Sequence, residues 1–135
     1  DVQLLGYNYC PGCGCKMDMS ICTYAVSAKE RFIGVPAAII DKYGVVSAET
    51  AAAMAEGVRK TAESDIGISV TGIAGPTGAE PGKPVGTVYI GLSVAENTQA
   101  RLAFTDPMLA KDENAREYIR KNTVLTALQW VAENI

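Results

Sequence analysis

The sequence predicts an α/β domain, and three observations carry that prediction. Segments with strand character alternate with segments of helical character, the pattern that a layered α/β fold produces. The branched, apolar runs "GTVYIGLSV" and "ARLAF" are separated by the turn-like "AENTQ", so residues 86–104 read as an antiparallel hairpin. The chain has 135 residues, 48% of them hydrophobic and 20% charged, which is enough apolar material for one core.

Taken in order, residues 1–9 read as the tail of a helix with Val2, Leu4 and Leu5 apolar, stopped by Pro11 and Gly12. "SICTY", residues 20–24, is a short β-branched apolar run and reads as a buried strand. Ser27 is placed to cap the next helix, with Glu30 three residues on completing a capping box. Gly34 and Pro36 close that helix and start a short one over "PAAIIDKYG". Residues 47–64 form the clearest helix: Ser47 is its N-cap, alanines fill it, and Met54 and Val58 pair at (i, i+4). "IGISV" is a further strand, before a loop rich in glycine and proline. From about Asp112 to Ile135 the chain is helical, with Ile119, Thr123, Leu125, Leu128, Trp130 and Val131 as a broad apolar face. No repeat, low-complexity tract or long linker divides the chain, so residues 1–135 are expected to form a single domain.

Composition excludes several functions. The net charge is −3 and the pI about 4.9, with Lys and Arg scattered, whereas a sequence-independent grip on nucleic acid needs a clustered positive face. No apolar run approaches the roughly 20 residues that cross a bilayer, and no basic patch precedes an apolar core at the start. A cytoplasmic protein, neither membrane-bound nor secreted, is expected. The chain contains no histidine, which excludes Ser-His and Cys-His catalytic pairs and imidazole-dependent metal sites. A hydrolase built from this sequence needs Lys, Asp, Glu or a terminal amine as its base, and a lysine needs a depressed pKa to serve.

"CPGCGC" supplies Cys10, Cys13 and Cys15, with Cys22 further on inside the expected strand. A Cys-Pro-x-Cys-Gly knuckle is half of a common zinc site, but the second knuckle is missing. The plainer reading is a Pro-Gly turn bearing reduced thiols, with a disulfide between exposed members on air oxidation, and no metal is assigned. In the loop of residues 70–91, Gly72, Gly75 and Gly78 permit positive φ and close backbone approach to a ligand, so they can cradle a phosphate or a ribose. Pro76, Pro81 and Pro84 stiffen it and Lys83 adds charge. An irregular crossover between strands is the alternative.

Three stretches together, "TYAVSAKERFIGVP" (23–36), "YGVVSAETAAAMAEG" (43–57) and "VTGIAGPTGAEPGKPVGTVYIG" (70–91), resemble the CinA C-terminal domain, the competence/damage-inducible family that includes nicotinamide mononucleotide amidases. "AREYIRKNTVLTAL" near the end extends the resemblance over nearly the whole chain. The resemblance implies a three-layer α/β/α fold with a mixed, mostly parallel sheet and one antiparallel hairpin. It also implies a Ser/Lys amidohydrolase that takes ammonia from a small-molecule nucleotide without a cofactor, and commonly a homodimer. The family's Tyr and Lys fall on Tyr24 and Lys29, and its Thr on Thr71. Lys29 is then the general base, Tyr24 a hydrogen-bond partner of the lysine or of the tetrahedral centre, and Thr71 an orienting group at the start of the loop. Arg116 and Arg120 match basic positions of the family's "GDRxxIR", although this chain reads "NAREYIR" and lacks the Gly-Asp pair.

The family's serine, in a Ser-Cys-Thr-Gly-Gly motif, has no counterpart in the 135 residues. The strand that precedes it in the family is missing as well, and an unpaired interior sheet position is costly. The expectation is that the natural protein extends further at its N-terminus or that a partner chain completes the sheet. Ser27 does not replace the nucleophile, because residues two apart on a helix do not face each other, and Ser20 has only its place before a strand to recommend it. Three readings follow: an amidase whose serine lies outside these residues, a non-catalytic nucleotide-binding or regulatory domain, and a cysteine-based metal or redox module.

Overall fold

A computed structural model describes residues 17–104 and 112–134. Three helices come first: α1 (Val26–Ile33), α2 (Ala37–Tyr43) and α3 (Ala48–Thr61). Strands β1 (Ile66–Gly72), β2 (Val88–Val94) and β3 (Asn97–Phe104) follow, and helix α4 (Ala115–Glu133) ends the described chain. The strands lie in the order β1-β2-β3, with β2 antiparallel to both neighbours. The hairpin expected over 86–104 is therefore present as β2 and β3.

Period-two alternation assigns the two faces of this sheet. On β1, Gly67, Ser69 and Thr71 are buried, and they register opposite Ser93, Gly91 and Tyr89 of β2. This face meets α3: Ser69 Oγ donates to Ala51 O at 2.6 Å, and Arg59 Nε donates to Ser93 Oγ at 2.9 Å. The approach is close because the residues are small. A Cβ added at Gly91 would lie 2.2 Å from Ala51 O, so no other residue fits beneath the helix there.

The opposite face presents Val88, Ile90 and Leu92, which join Ile119, Ala127 and Trp130 of α4 in the main core. Arg101 of β3, across from Ile90, lays its guanidinium 4.4 Å from the centre of the Trp130 ring. The result is three layers, α3 on one side of the sheet and α4 on the other. A smaller core of Ile33, Val35, Ile40 and Met54 ties α1 and α2 to α3.

Helix ends follow local chemistry where that chemistry is decisive. Ser47 Oγ accepts the Thr50 N–H at 3.1 Å and donates to Gly44 O at 3.0 Å, as an N-cap should. Gly34, at φ 63°, closes α1 by donating its N–H to Glu30 O.

Several sequence expectations are corrected. Among the described residues, 20–24 form no strand and no partner strand lies beside them, and Cys22 is exposed and free rather than in the core. Ser27 is not a cap: α1 begins at Val26, its N-cap position is Ala25, and no side-chain bond is made there. Leu125 and Leu128 are about 60% exposed, and the buried face of α4 is instead Ala115, Ile119, Thr123, Ala127 and Trp130. The mostly parallel sheet is not what these residues form, since both described pairings are antiparallel. The helix expected in residues 1–9, and Cys10, Cys13 and Cys15, lie outside the described residues.

Candidate active site

Lys29 is the one buried lysine among the described residues, 4% exposed on a short helix that is otherwise largely exposed. Its position comes from α1 packing on α3, which turns the Lys29 and Ile33 face inward. The Nζ reaches back to the segment before the helix and donates to Thr23 O and, at 3.3 Å, to Tyr24 O. Burial disfavours the ammonium form and lowers the pKa below the ordinary 10.5, with the neighbouring Cys22 opposing the shift. A neutral lysine has two N–H donors and one lone pair. With both donors on carbonyls, the lone pair is left for an incoming proton.

Tyr24 is placed differently from the expectation. Its side chain is 95% exposed, and its contribution to Lys29 is the backbone carbonyl, not the hydroxyl. Thr23 is the residue that sequence reasoning missed. It is buried and its carbonyl holds Lys29, and a backbone acceptor leaves no side-chain signal to read.

Thr71 sits at the end of β1 on the α3 face, where its Oγ1 donates to Val45 O at 2.8 Å. Lys83 Nζ donates to Tyr43 O at 3.2 Å, so the far side of the loop is tied to the C-terminal end of α2. The base of the loop is closed by Ile73 N–H to Thr87 O at 2.9 Å and Gly86 N–H to Ile73 O at 2.7 Å. Gly72 packs against Thr87 and Val88. Gly75 is buried at φ 78° and precedes Pro76 through a cis peptide bond, while Gly78 is exposed at φ 95°. The positive φ and a would-be Cβ 2.6 Å from Val85 Cγ1 both restrict position 75 to glycine.

Arg116 comes to this loop from the first turn of α4 and donates Nη1–H to Gly75 O at 2.9 Å. Arg120, one turn further on, lies on the exposed side of α4 beside Glu117, Lys121 and Val124. The structure thus brings Gly72, Gly75, Lys83, Thr71 and Arg116 to one loop and its supports. Lys29 lies in the neighbouring α1 layer, and among the described residues no hydrogen bond joins it to Thr71.

Comparisons with known proteins identify the family. Residues 8–135 match the family described as the CinA C-terminal domain. A CinA-like protein of Geobacter metallireducens is 42% identical over 125 residues, covering 93% of this chain and 29% of the relative. The chain spans under a third of the length of the curated relatives it matches. Among solved structures, the competence/damage inducible protein CihA of Agrobacterium tumefaciens superimposes with a TM-score of 0.73 at 32% identity, over 82% of this chain and 64% of that one. A CinA superfamily protein of Escherichia coli gives a TM-score of 0.63 at 27% identity, over 84% of this chain and 62% of that one. With its layered α/β fold and a match running almost from end to end, this chain belongs to the CinA C-terminal domain family.

Proposed function

We propose that the chain carries the base and the loop of a pyridine-nucleotide amidase acting in the cytoplasm, converting nicotinamide mononucleotide and water to nicotinate mononucleotide and ammonia. The observation that carries this reading is Lys29, a lysine buried on two backbone carbonyls with its pKa lowered by desolvation. In this mechanism a serine contributed from outside the 135 residues attacks the carboxamide carbon as Lys29 takes the hydroxyl proton. Lys29 then returns that proton to the departing amine, and ammonia leaves with the carbon–nitrogen bond. Water, deprotonated by the same lysine, hydrolyses the acyl-serine and regenerates both groups. The loop, stiffened by its prolines and tied at Thr71, Lys83 and Gly75, forms the wall against which the nucleotide lies.

Ammonia release from nicotinamide mononucleotide, by the chain in its natural full-length protein, is the direct test. Lys29→Met is expected to lower kcat by about a hundredfold or more, the usual contribution of a positioned base. The wild-type kcat/KM is expected to rise with pH through the lowered lysine pKa. The exposed Tyr24 side chain favours a second reading, a nucleotide-binding domain without turnover. Nucleotide binding with no ammonia release, unchanged by Lys29→Met, would establish that reading and remove the first.

A further inference from the structure

We infer that Arg116 is a positioning residue that sets the glycine loop through the Gly75 carbonyl, rather than a group that grips substrate. The anchor end is an exposed side chain on a helix fixed by the core. Arg116 lies between Ala115 and Ile119 on α4, and both are buried in the core that contains Ile73 and Val85, the residues bracketing the loop. At the far end, the φ of Gly75 is 78° and Val85 occupies the space of a Cβ, so only glycine holds this turn, and the bond from Arg116 to its carbonyl restrains the freedom that glycine brings.

Between these ends runs a single charge-assisted bond of 2.9 Å spanning 41 residues of sequence. Its position in the loop matters. The backbone bonds of Ile73, Gly86 and Thr87 close the base, and a tight Glu80–Lys83 pairing closes the tip. Residues 76–82 between them are exposed. The carbonyl held by Arg116 is the point where the ordered base passes into that exposed stretch. Releasing it lets residues 76–82 move while the sheet stays intact. Thr71 and Lys83 make the same kind of bond, side-chain donor to backbone carbonyl, so the loop is held by struts at three points.

Hydrogen exchange of the folded protein reads this without reference to catalysis. In Arg116→Ala, the hydrogen-bonded amides of Ile73, Glu80, Lys83 and Gly86 are expected to exchange about tenfold faster or more, the scale of a lost hydrogen bond to a charged group in a local opening. Amides of Tyr89–Val94 should keep their wild-type rates. Arg116→Lys keeps a donor and should recover most of the loop protection. Unchanged loop exchange in Arg116→Ala, or a loss spread equally over loop and hairpin, overturns the inference.

The kinetic arm rests on the amidase reading. With nicotinamide mononucleotide, Arg116→Ala should raise KM about tenfold with kcat within about twofold of wild type, as loss of a direct substrate contact also would, so exchange of the ligand-free loop decides between strut and substrate contact. A kcat loss that Arg116→Lys does not restore also overturns the positioning role. If exchange responds as expected but the wild-type protein releases no ammonia, the strut stands and the amidase reading falls. If ammonia is released and exchange does not respond, the reverse holds.

Discussion

The two faces of the sheet are packed by opposite means. Toward α3 the strands present Gly67, Ser69, Thr71, Gly91 and Ser93, and the helix answers with Ala51 and Ala55, so backbones approach closely and buried hydroxyls bond to main-chain carbonyls. Toward α4 they present Val88, Ile90 and Leu92 against Ile119, Ala127 and Trp130, a core of large side chains. The first face specifies a distance and an orientation. The second supplies most of the apolar burial. The candidate base lies on the first side, in the α1 and α3 layer, where Lys29 follows the same rule as Ser69 and Thr71 by bonding to backbone carbonyls. A polar layer held at a defined spacing is a suitable mount for chemistry, because its groups are oriented before a ligand arrives.

The harshest way to break this comparison is Gly91→Val. The new Cβ would lie 2.2 Å from Ala51 O and 2.7 Å from Ser69 Oγ, and backbone on one side cannot yield without moving α3. A cost above about 4 kcal/mol is expected, enough to remove a large part of the stability of a domain of this size. Urea denaturation followed by far-ultraviolet circular dichroism measures it. A midpoint near that of wild type would mean that α3 does not sit as close as described. On the other face, Ile90→Ala truncates a fully buried side chain of the main core. It should cost about 3 kcal/mol by the same measurement, with no change in the spacing of α3.

The sequence announces the first face only in part. Ser47 and the alanine run of α3 are legible because capping and helix propensity are local, and so is the β2–β3 hairpin, whose strands are neighbours along the chain. Strand direction is different. It depends on connections and partners, which is why the described strands pair antiparallel where a mostly parallel sheet is expected, and why "SICTY", rich in β-branched residues, has no strand geometry among the described residues. The apolar residues of α4 surround much of the helix, so their period identifies a helix but not which side meets the sheet, and Leu125 and Leu128 lie on the solvent side. At the site, family resemblance marks Lys29 and Thr71, but only the fold reveals that Lys29 is buried and bonds to Thr23 O. Lysine is among the residues least often buried, and composition alone would have left it on the surface.

The smallest expected effect is the most informative about the base, and it is read as a slope. In the unfolded chain Lys29 keeps its ordinary pKa near 10.5, while in the folded protein desolvation lowers it. Below both values the lysine is charged in both states, and folding bears the full cost of burying an ammonium. Between the lowered value and 10.5 the unfolded chain binds more protons than the folded one, so stability rises with pH. Above 10.5 both states are neutral and the cost is gone. Lys29→Met keeps the length and the apolar stem but cannot titrate. The stability of wild type minus that of Lys29→Met should therefore rise toward alkaline pH, by no more than about 1.4 kcal/mol per pH unit. Chemical denaturation of both proteins at several pH values up to the alkaline limit of the fold measures the difference. A flat difference would show that burial does not perturb Lys29. A fall with rising pH would show that its carbonyl partners stabilise the ammonium more than burial penalises it, leaving a structural strut on the polar face instead of a base.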